Sequence, residues 1–544
     1  MSARGAAIAL GYVAATALAF PHPVGERVLD LGLVLAWLSP AFLLLAIDGL
    51  APARALRRGF ALGWVAHAIV LHWAWVVTVR YGGVDPVLGL LAPPGMALYP
   101  ALFVGAFAAL ASALRARGAS GPFALAALFT ALDHARSWLL GGFPWATIGY
   151  AQHENPALLG LAAATGVYGL SFAVALGGAA LARIARARRI DAPALAALGG
   201  VALLHAAGLA VRPAEIPADA PRVRIGAVQG NVPQDAKWVR ERFATTLADY
   251  EEGTRVAAEQ GARLVAWPES AITRLLELDG AVRERIESLA RSTGAALVVG
   301  SVGSDTDALG RVTDYYDSAF AVAPDGGWVD RYDKTHLVPF GEYLPLRSLL
   351  ERIATAIATG IASGDVTAGE RPRAVDVPLA GGAADGIEAA RAAGRAPASV
   401  RIGIPVCYEL LFPDLVRRFA RDGASVLVAI TNDAWYGRTG APYQFLAMTA
   451  LRSAETGLWT VRAANTGVSA VIDERGRVRE ETRIFEPAVL VADVPLRTAA
   501  GGATPYVRFG DVFAYGCYVV AACAGLVARR GAARSAGGAD AAEG

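Results

Sequence analysis

Cysteine and lysine are the scarce residues of this 544-residue chain. It has three cysteines and only two lysines, Lys237 and Lys334, the remaining 48 of its 50 basic residues being arginine. Cys517 and Cys523 fall inside one apolar run, so Cys407 stands alone in the polar part of the chain and a disulfide framework there is excluded. Charge is also sparse: 18% of residues are Asp, Glu, Lys or Arg, and the formal net charge of +2 gives no basic footprint for nucleic acid. No Gly-rich phosphate loop and no His/Cys/Asp/Glu set with metal-ligand spacing is found, and His336 alone is no ligand set. Neither a cofactor nor a metal is therefore expected. The scarcity of lysine carries its own information. Arginine is a rigid, permanently charged fork, whereas lysine is a compact charge whose pKa responds to its surroundings. A chain that uses arginine almost everywhere has kept an ammonium at Lys334, within Arg331-Tyr-Asp-Lys-Thr-His-Leu-Val-Pro-Phe-Gly-Glu-Tyr343. Lys237 is read as a solvated neighbour of Trp238.

What the chain has in abundance is apolar sequence: 55% of residues are hydrophobic and the mean hydropathy is +0.40, above the norm for soluble domains. Seven apolar runs, at about 5–20, 28–49, 59–79, 87–113, 121–140, 157–181 and 192–211, precede a polar region at about 218–505, and an eighth follows at about 511–528. Each approaches the roughly 20 residues that cross a bilayer. Arginines cluster in alternate connections: Arg54, Arg57 and Arg58; Arg115 and Arg117; Arg183, Arg186, Arg188 and Arg189; then Arg529, Arg530 and Arg534 after the last run. The positive-inside rule then puts both termini and the 529–544 tail in the cytoplasm, and the polar domain outside. The first run lacks a small-residue cleavage site before Pro21-His-Pro23 and is expected to be retained. His67, His72, Asp133 and Arg136 in or beside these runs are expected to pair helices or to lie at the interface.

The polar region alternates expected strands (223–228, 263–267, 295–300, 316–322, 327–331, 400–406 and 425–430) with expected helices (238–259, 281–292 and 412–421), the pattern of a layered α/β core. Residues 212–220 read as a tether, and the Ala/Gly-rich 379–398 as a flexible insertion. The chemistry sits at strand ends. Glu269 follows one strand, Lys334 follows a hairpin strand, and Cys407 ends another just before a helix; side chains beyond strand ends converge in such sheets. A helix N-terminus and the ammonium are expected to lower the Cys407 pKa. Glu269 can take the thiol proton, and Lys334 can stabilise a tetrahedral oxyanion. Together they make a complete acyl-transfer set.

Trp267-Pro-Glu269-Ser, Asp333-Lys334-Thr-His-Leu-Val-Pro-Phe-Gly-Glu342 and Pro405-Val-Cys407-Tyr-Glu409 resemble the Glu-Lys-Cys triad of the nitrilase, or carbon–nitrogen hydrolase, superfamily. With the apolar runs, Phe143-Pro-Trp145, Gln229-Gly-Asn231 and Thr431-Asn-Asp-Ala-Trp435, the chain is similar over nearly its whole length to the apolipoprotein N-acyltransferase family. The insertion between the Lys and Cys motifs is its departure.

That resemblance implies a polytopic membrane region of about eight transmembrane helices carrying an external nitrilase-like domain with an αββα sandwich, in the bacterial inner membrane with the domain on the periplasmic side. It implies a monomer and a ping-pong reaction. Cys407 takes an acyl chain from a phospholipid, typically phosphatidylethanolamine, and passes it from a thioester to the N-terminal amine of a diacylglyceryl-prolipoprotein. It also implies supporting roles for Glu342 and Glu409 in positioning Lys334 and the pocket, for the Tyr408 backbone N–H as an oxyanion donor, and for Trp238 and Trp435 in meeting acyl chains. A membrane-tethered nitrilase-type amidase, a transporter with an appended non-catalytic domain and a catalytically dead scaffold stand as alternatives.

Overall fold

The computed structural model describes residues 2–25, 27–344, 366–379, 397–498 and 502–540. The chain divides into two compact units, one of Met1–Pro213, Thr439–Leu451 and Arg508–Gly544, the other of Ala214–Arg438 and Arg452–Val507.

The first unit is helical. Among the described residues three helices are long and apolar enough to cross a bilayer: Pro86–Ala116, Val167–Ala187 and Ala192–Val211. A fourth is obtained if Pro52–Val70 and Ala74–Tyr81, bent by 64° at their junction, are taken as one. Gly32–Ala46, Pro122–Ala135, Pro156–Thr165 and Val512–Val527 are apolar but shorter. Hydropathy alone overstates continuity. The expected run 157–181 is interrupted at Gly166, whose φ of +63° and ψ of −171° lie far from helical values and suit glycine. The run 59–79 begins earlier, at Pro52, where a first-turn proline is favoured, and breaks after Val70. The last helix extends to Asp540, past the expected end at 528. Small residues bring two of these helices close: a Cβ on Gly59 would stand 2.4 Å from that of Ala108, and one on Gly63 2.7 Å from that of Val104. The expected helix pairing by intramembrane polar groups is visible at Asp133, which accepts from Arg136 and from Ser171 of helix Val167–Ala187, each at 2.8 Å.

The second unit holds two sheets. Its strands are β1 (Arg222–Gln229), β2 (Leu264–Ala266), β3 (Ile272–Leu275), β4 (Ala296–Thr306), β5 (Val312–Val322), β6 (Trp328–Asp333), β7 (Ala374–Pro378), β8 (Ser399–Gly403), β9 (Val426–Thr431), β10 (Thr460–Ala464), β11 (Ala470–Ile472), β12 (Val478–Glu481) and β13 (Ala488–Pro495). The seven-stranded sheet runs β13-β1-β2-β4-β5-β6, with β3 beside β4; the six-stranded sheet runs β12-β11-β10-β9-β8-β7. Both have parallel centres, β1-β2-β4 and β8-β9-β10, flanked by antiparallel strands.

Helices Phe243–Glu259 and Gly280–Thr293 cover the first sheet. Leu247, Tyr250 and Ala257 of one, and Val282, Ile286, Leu289 and Ala290 of the other, recur at helical spacing and bury against Val265, Leu297, Val299 and Phe320. Polar side chains join the two sheets: Gln229 at the end of β1 accepts from Ser469 and Thr482 at 2.7 Å each, and Asn465 donates to the Val232 carbonyl at 2.8 Å. Strands β3, β7 and β10–β13 have no counterpart among the sequence-based expectations. The Ala/Gly-rich insertion lies, from 380 to 396, outside the described residues. The strands on either side of it, β7 and β8, pair antiparallel from Ser399–Pro378 to Gly403–Ala374.

Candidate active site

Four strand ends supply the site. Beyond β2 the chain passes Trp267 and Pro268 to Glu269; beyond β6 it reaches Lys334 at once; beyond β8 it runs through Val406, bridged to Ile430, into Cys407; beyond β9 comes Asn432. Glu269 and Lys334 thus come from the seven-stranded sheet and Cys407 from the six-stranded one. The Glu269 turn is tight. A Cβ on Gly300 would come within 2.0 Å of the Pro268 carbonyl oxygen, so only glycine lets β4 pass beneath it. Cys407 has a φ of +45°, which sets the thiol on a sharp turn between Val406 and the short 3-10 helix Cys407–Leu411.

Lys334 is fully buried, and its ammonium lies 3.0 Å from Glu269 Oε1, 3.1 Å from Asp317 Oδ2 and 2.5 Å from Glu342 Oε1. The three N–H donors of the ammonium are spent on three carboxyl groups. Glu269 Oε2 accepts from the Asn432 backbone N–H at 2.7 Å, and the charge of the same carboxylate acts on the buried Cys407 thiol. Glu342 Oε2 accepts from the Val338 N–H at 2.8 Å, which fixes the loop that carries it. Glu409 does not touch Lys334. Fully buried, it ties the Lys and Cys segments together, accepting from the Thr335 N–H at 2.7 Å, the Thr335 hydroxyl at 2.8 Å, the Tyr332 hydroxyl at 2.7 Å and the Val406 N–H at 2.8 Å.

Glu269, Asp317 and Glu342 are also close enough together to hold a cation. The sequence shows no such set, because the three acids are 48 and 25 residues apart, counting from 269 to 317 and from 317 to 342. The Lys334 ammonium is the cation they surround.

The electrostatics invert one expectation. Burial, reinforced by the charge of Glu269 against that of Lys334, pushes the Cys407 thiol well above the ordinary thiol range. The expected lowering by a helix N-terminus does not occur, since the turn after Cys407 is only five residues long and the pocket excludes water. Burial by itself would raise Glu269, but the Lys334 charge and hydrogen bonds from Asp317, Lys334 and Cys407 hold it down to about 2. Burial would likewise lower Lys334, yet Glu269, Glu342 and Asp317 carry it well above the lysine range. Burial moves Asp317 far upward against the pull of Lys334, and the adjacent Glu269 and Glu342 add to the rise. The resting site at neutral pH is a thiol, a Glu269 carboxylate and a lysinium, with Asp317 displaced toward its protonated form.

Of the other sequence-predicted residues, Tyr408 is buried, and Trp238 and Trp435 are exposed at 57% and 40%. Three participants went unassigned in the sequence. Asp317, in mid-β5, completes the acid cluster. Asn432, inside the Thr431–Trp435 motif, orients Glu269. Lys237, expected to be solvated, is 4% exposed and donates to the Glu269 backbone carbonyl at 2.9 Å. Its burial pulls it down to about 8, resisted by Glu269, Asp317 and Cys407. The usable signal was at hand: Lys237 is the only other lysine.

A buried thiol beside a carboxylate and a locked ammonium can attack an acyl carbon and hold the acyl group as a thioester. Comparison with known proteins shows what the chain is similar to. The family model for carbon-nitrogen hydrolases matches residues 224–503, and that for the apolipoprotein N-acyltransferase N-terminal domain matches 14–180. An apolipoprotein N-acyltransferase from Geobacter metallireducens is 37% identical over 520 residues, covering 94% of this chain and 93% of its own. One from Azotobacter vinelandii is 36% identical over 499 residues, covering 90% and 89%. Among solved structures, an amidase from Nesterenkonia sp. is similar at 19% identity over 56% of this chain and 99% of its own, with a TM-score of 0.38.

Proposed function

The chain belongs to the apolipoprotein N-acyltransferase family, and from that premise we propose that Cys407, Glu269 and Lys334 move an acyl chain from a phospholipid to the N-terminal amine of a diacylglyceryl-prolipoprotein. The observation that carries this reading is the buried Glu269 carboxylate, which holds the Lys334 ammonium at 3.0 Å and whose charge acts on the buried Cys407 thiol.

The two halves of the reaction follow from the resting charges. With the thiol high and Glu269 low, the proton stays on sulfur until a carbonyl arrives. Transfer to Glu269 is therefore concerted with sulfur attack on the ester carbon. The tetrahedral intermediate collapses by breaking the carbon–oxygen bond, and Glu269 returns its proton to the departing lysophospholipid oxygen. In the second half the lipoprotein amine attacks the thioester carbon, Glu269 receives the amine proton, the carbon–sulfur bond breaks, and the thiolate is reprotonated. The amide formed is more stable than the thioester, so the cycle runs forward. Lys334 contributes a fixed positive charge and keeps Glu269 ionised and aligned. Glu342 locks Lys334, Glu409 joins the segments bearing Lys334 and Cys407, the Tyr408 N–H receives the oxyanion, and the exposed Trp238 and Trp435 meet acyl chains.

The same reading has the chain act as a monomer in a bacterial inner membrane, with phosphatidylethanolamine as donor and the catalytic unit (218–505) on the periplasmic side. Eight crossings are obtained if the bent pair 52–81 and the broken pair 156–187 each count once, alongside Ala3–Ala17, Gly32–Ala46, Pro86–Ala116, Pro122–Ala135, Ala192–Val211 and Val512–Val527. The arginine-rich alternate connections support that orientation. A tethered amidase or a transporter with an appended domain is not favoured, because the family match runs through the helical region as well.

Protein incubated with acyl-labelled phosphatidylethanolamine should form a hydroxylamine-sensitive adduct that a diacylglyceryl peptide discharges. Cys407→Ser should form none. An undiminished adduct in that variant would sink the assignment, and discharge by water as fast as by peptide would make the enzyme a hydrolase.

A further inference from the structure

The two lysines of the chain both end beside Glu269, yet their donors are used differently. Lys334 places its three N–H groups on three carboxyl groups at 3.0, 3.1 and 2.5 Å. It has none left for a substrate oxygen unless one of those bonds breaks. Lys237, 4% exposed, has one hydrogen-bond acceptor among the described residues, the Glu269 backbone carbonyl at 2.9 Å. Two N–H groups of a buried ammonium are left over. A buried charge so short of partners is costly, and native structures retain such groups where a ligand completes them.

The turn that carries Lys237 is held against Glu269. Gln234, one helical turn earlier, accepts from the Asn432 side chain at 2.8 Å. Asn432 gives its backbone N–H to Glu269 Oε2 at 2.7 Å. The Gln234–Lys237 turn is thereby anchored at both ends around the base: Gln234 through Asn432, and Lys237 through the Glu269 backbone carbonyl. The Lys237 side chain is held in place before any substrate binds, as an oxyanion donor must be to lower a barrier without reorganising.

We infer that Lys237 is a catalytic residue, and that its two unspent N–H groups receive the oxygen of the acyl carbonyl as that oxygen becomes negative. On attack by Cys407 the carbonyl electron pair moves onto oxygen, and Lys237 meets it together with the Tyr408 N–H. On collapse the pair returns and the leaving oxygen or sulfur departs. Lys334 acts from behind, through Glu269. The chain thus uses its two ammonium groups for two tasks, one to set the base and one to bind the transition state. This inference rests on the acyl-transfer reading above.

Three rates in the full-length, detergent-solubilised protein test it. The first is the burst of 4-nitrophenolate from 4-nitrophenyl dodecanoate, a donor without a phosphate headgroup. The second is alkylation of Cys407 by iodoacetamide, followed on the Cys407 peptide by mass spectrometry. This needs the thiol and Glu269 but passes through no oxyanion. The third is acylation by phosphatidylethanolamine. Lys237→Met should slow the burst and phospholipid acylation alike, by roughly 10²-fold, and leave alkylation within about twofold of the parent. Lys237→Gln, which keeps a donor on the Glu269 carbonyl, accompanies it as the variant safer for folding and should show the same split. An unchanged burst in either variant overturns the inference. So does a parallel fall in alkylation, which would make Lys237 a positioning residue for Glu269, and so does a loss confined to phospholipid, which would make it a headgroup site. If the parent protein itself gives neither a burst nor an adduct, the acyl-transfer reading fails instead.

Discussion

Two buried ionic centres, one at β9 and β10 and the other beyond β2 and β6, solve the problem of buried charge in opposite ways. Asp433 and Arg462, both fully buried, form a one-to-one pair at 2.8 Å, with Asp433 also accepting from Thr431 at 2.8 Å. Lys334, just as buried, faces three carboxyl groups, and the charge of one of them, Glu269, acts on the Cys407 thiol. The first centre is balanced, and its shape is defended: a Cβ on Gly467 would come 1.9 Å from Asp433. The second holds more acid than one cation can neutralise, so at least one proton must remain in it. A closed pair holds a loop in place, here the loop 431–436 that bears Asn432 and Trp435. An overfilled cluster has protons to move. Both centres come from the same physics, and only the ratio of acids to cations separates a structural device from a reactive one.

The comparison breaks most decisively at the closed pair. Asp433→Ala removes the carboxylate to which the fully buried Arg462 donates at 2.8 Å, and breaking such a pair costs about 3–5 kcal/mol. A large drop in melting temperature is expected, with activity lost along with the fold. A melting temperature close to the parent's would mean that the pair holds nothing.

A smaller effect, on the order of 3 kcal/mol, belongs to Glu269. Its carboxyl is held at about 2 when folded, against an ordinary 4.5. Below 4.5 the unfolded chain binds a proton that the folded one refuses, so this contribution is whole above pH 4.5 and is lost as pH falls toward 2. Melting curves of the parent and Glu269→Gln from pH 6 to 3 should converge on acidification. Curves that stay parallel would show that Glu269 is not held down by Lys334.

Lys334→Arg comes next. The charge survives, but a planar fork cannot point three donors at three carboxyl groups around one atom. Acyl-enzyme formation should fall about 10²-fold with little loss of stability. A near-parental rate would mean that the shape of the ammonium does not matter.

The sequence disclosed the reactive centre better than the scaffold. Glu269, Lys334, Cys407, Glu342 and Glu409 lie in short motifs at strand ends, where a polar residue after an apolar run stands out. Strand β10 hides because Arg462 sits inside Thr460–Ala464 and breaks the apolar run, and an arginine paired with a distant Asp433 cannot be recognised locally. The helical unit has fewer uninterrupted long helices than apolar runs, because hydropathy is blind to a backbone break such as Gly166 or to the 64° bend after Val70. The direction of the Cys407 shift was missed because a sequence shows the charges near a thiol but not how completely the pocket excludes water. Lys237 was passed over for the same reason.

Asp317 is the subtlest miss and gives the smallest predicted effect. In β5 it reads as an ordinary strand aspartate, between Tyr316 and Ser318, and nothing marks it as reaching Lys334. In the structure its Oδ2 accepts from Lys334 at 3.1 Å, while Oδ1 has no N–H or O–H donor among the described residues, and the carboxyl groups of Asp317 and Glu269 approach within 4.8 Å. Two carboxylates in that position would repel. A proton on Asp317 turns the contact into a hydrogen bond donated to Glu269, in line with its strongly raised pKa. An amide copies that arrangement, with an N–H toward Glu269 and a carbonyl toward Lys334. Asp317→Asn should therefore lower acylation by no more than a few-fold and leave stability nearly unchanged, although Asp317 is an acid beside the catalytic lysine. Glu342→Gln removes a partner that the Lys334 charge favours in its ionised form and should cost more. If Asp317→Asn proved the more damaging of the two, the proton would have to be moved to Glu342, and the charge count on which the contrast with Asp433 and Arg462 depends would have to be redrawn.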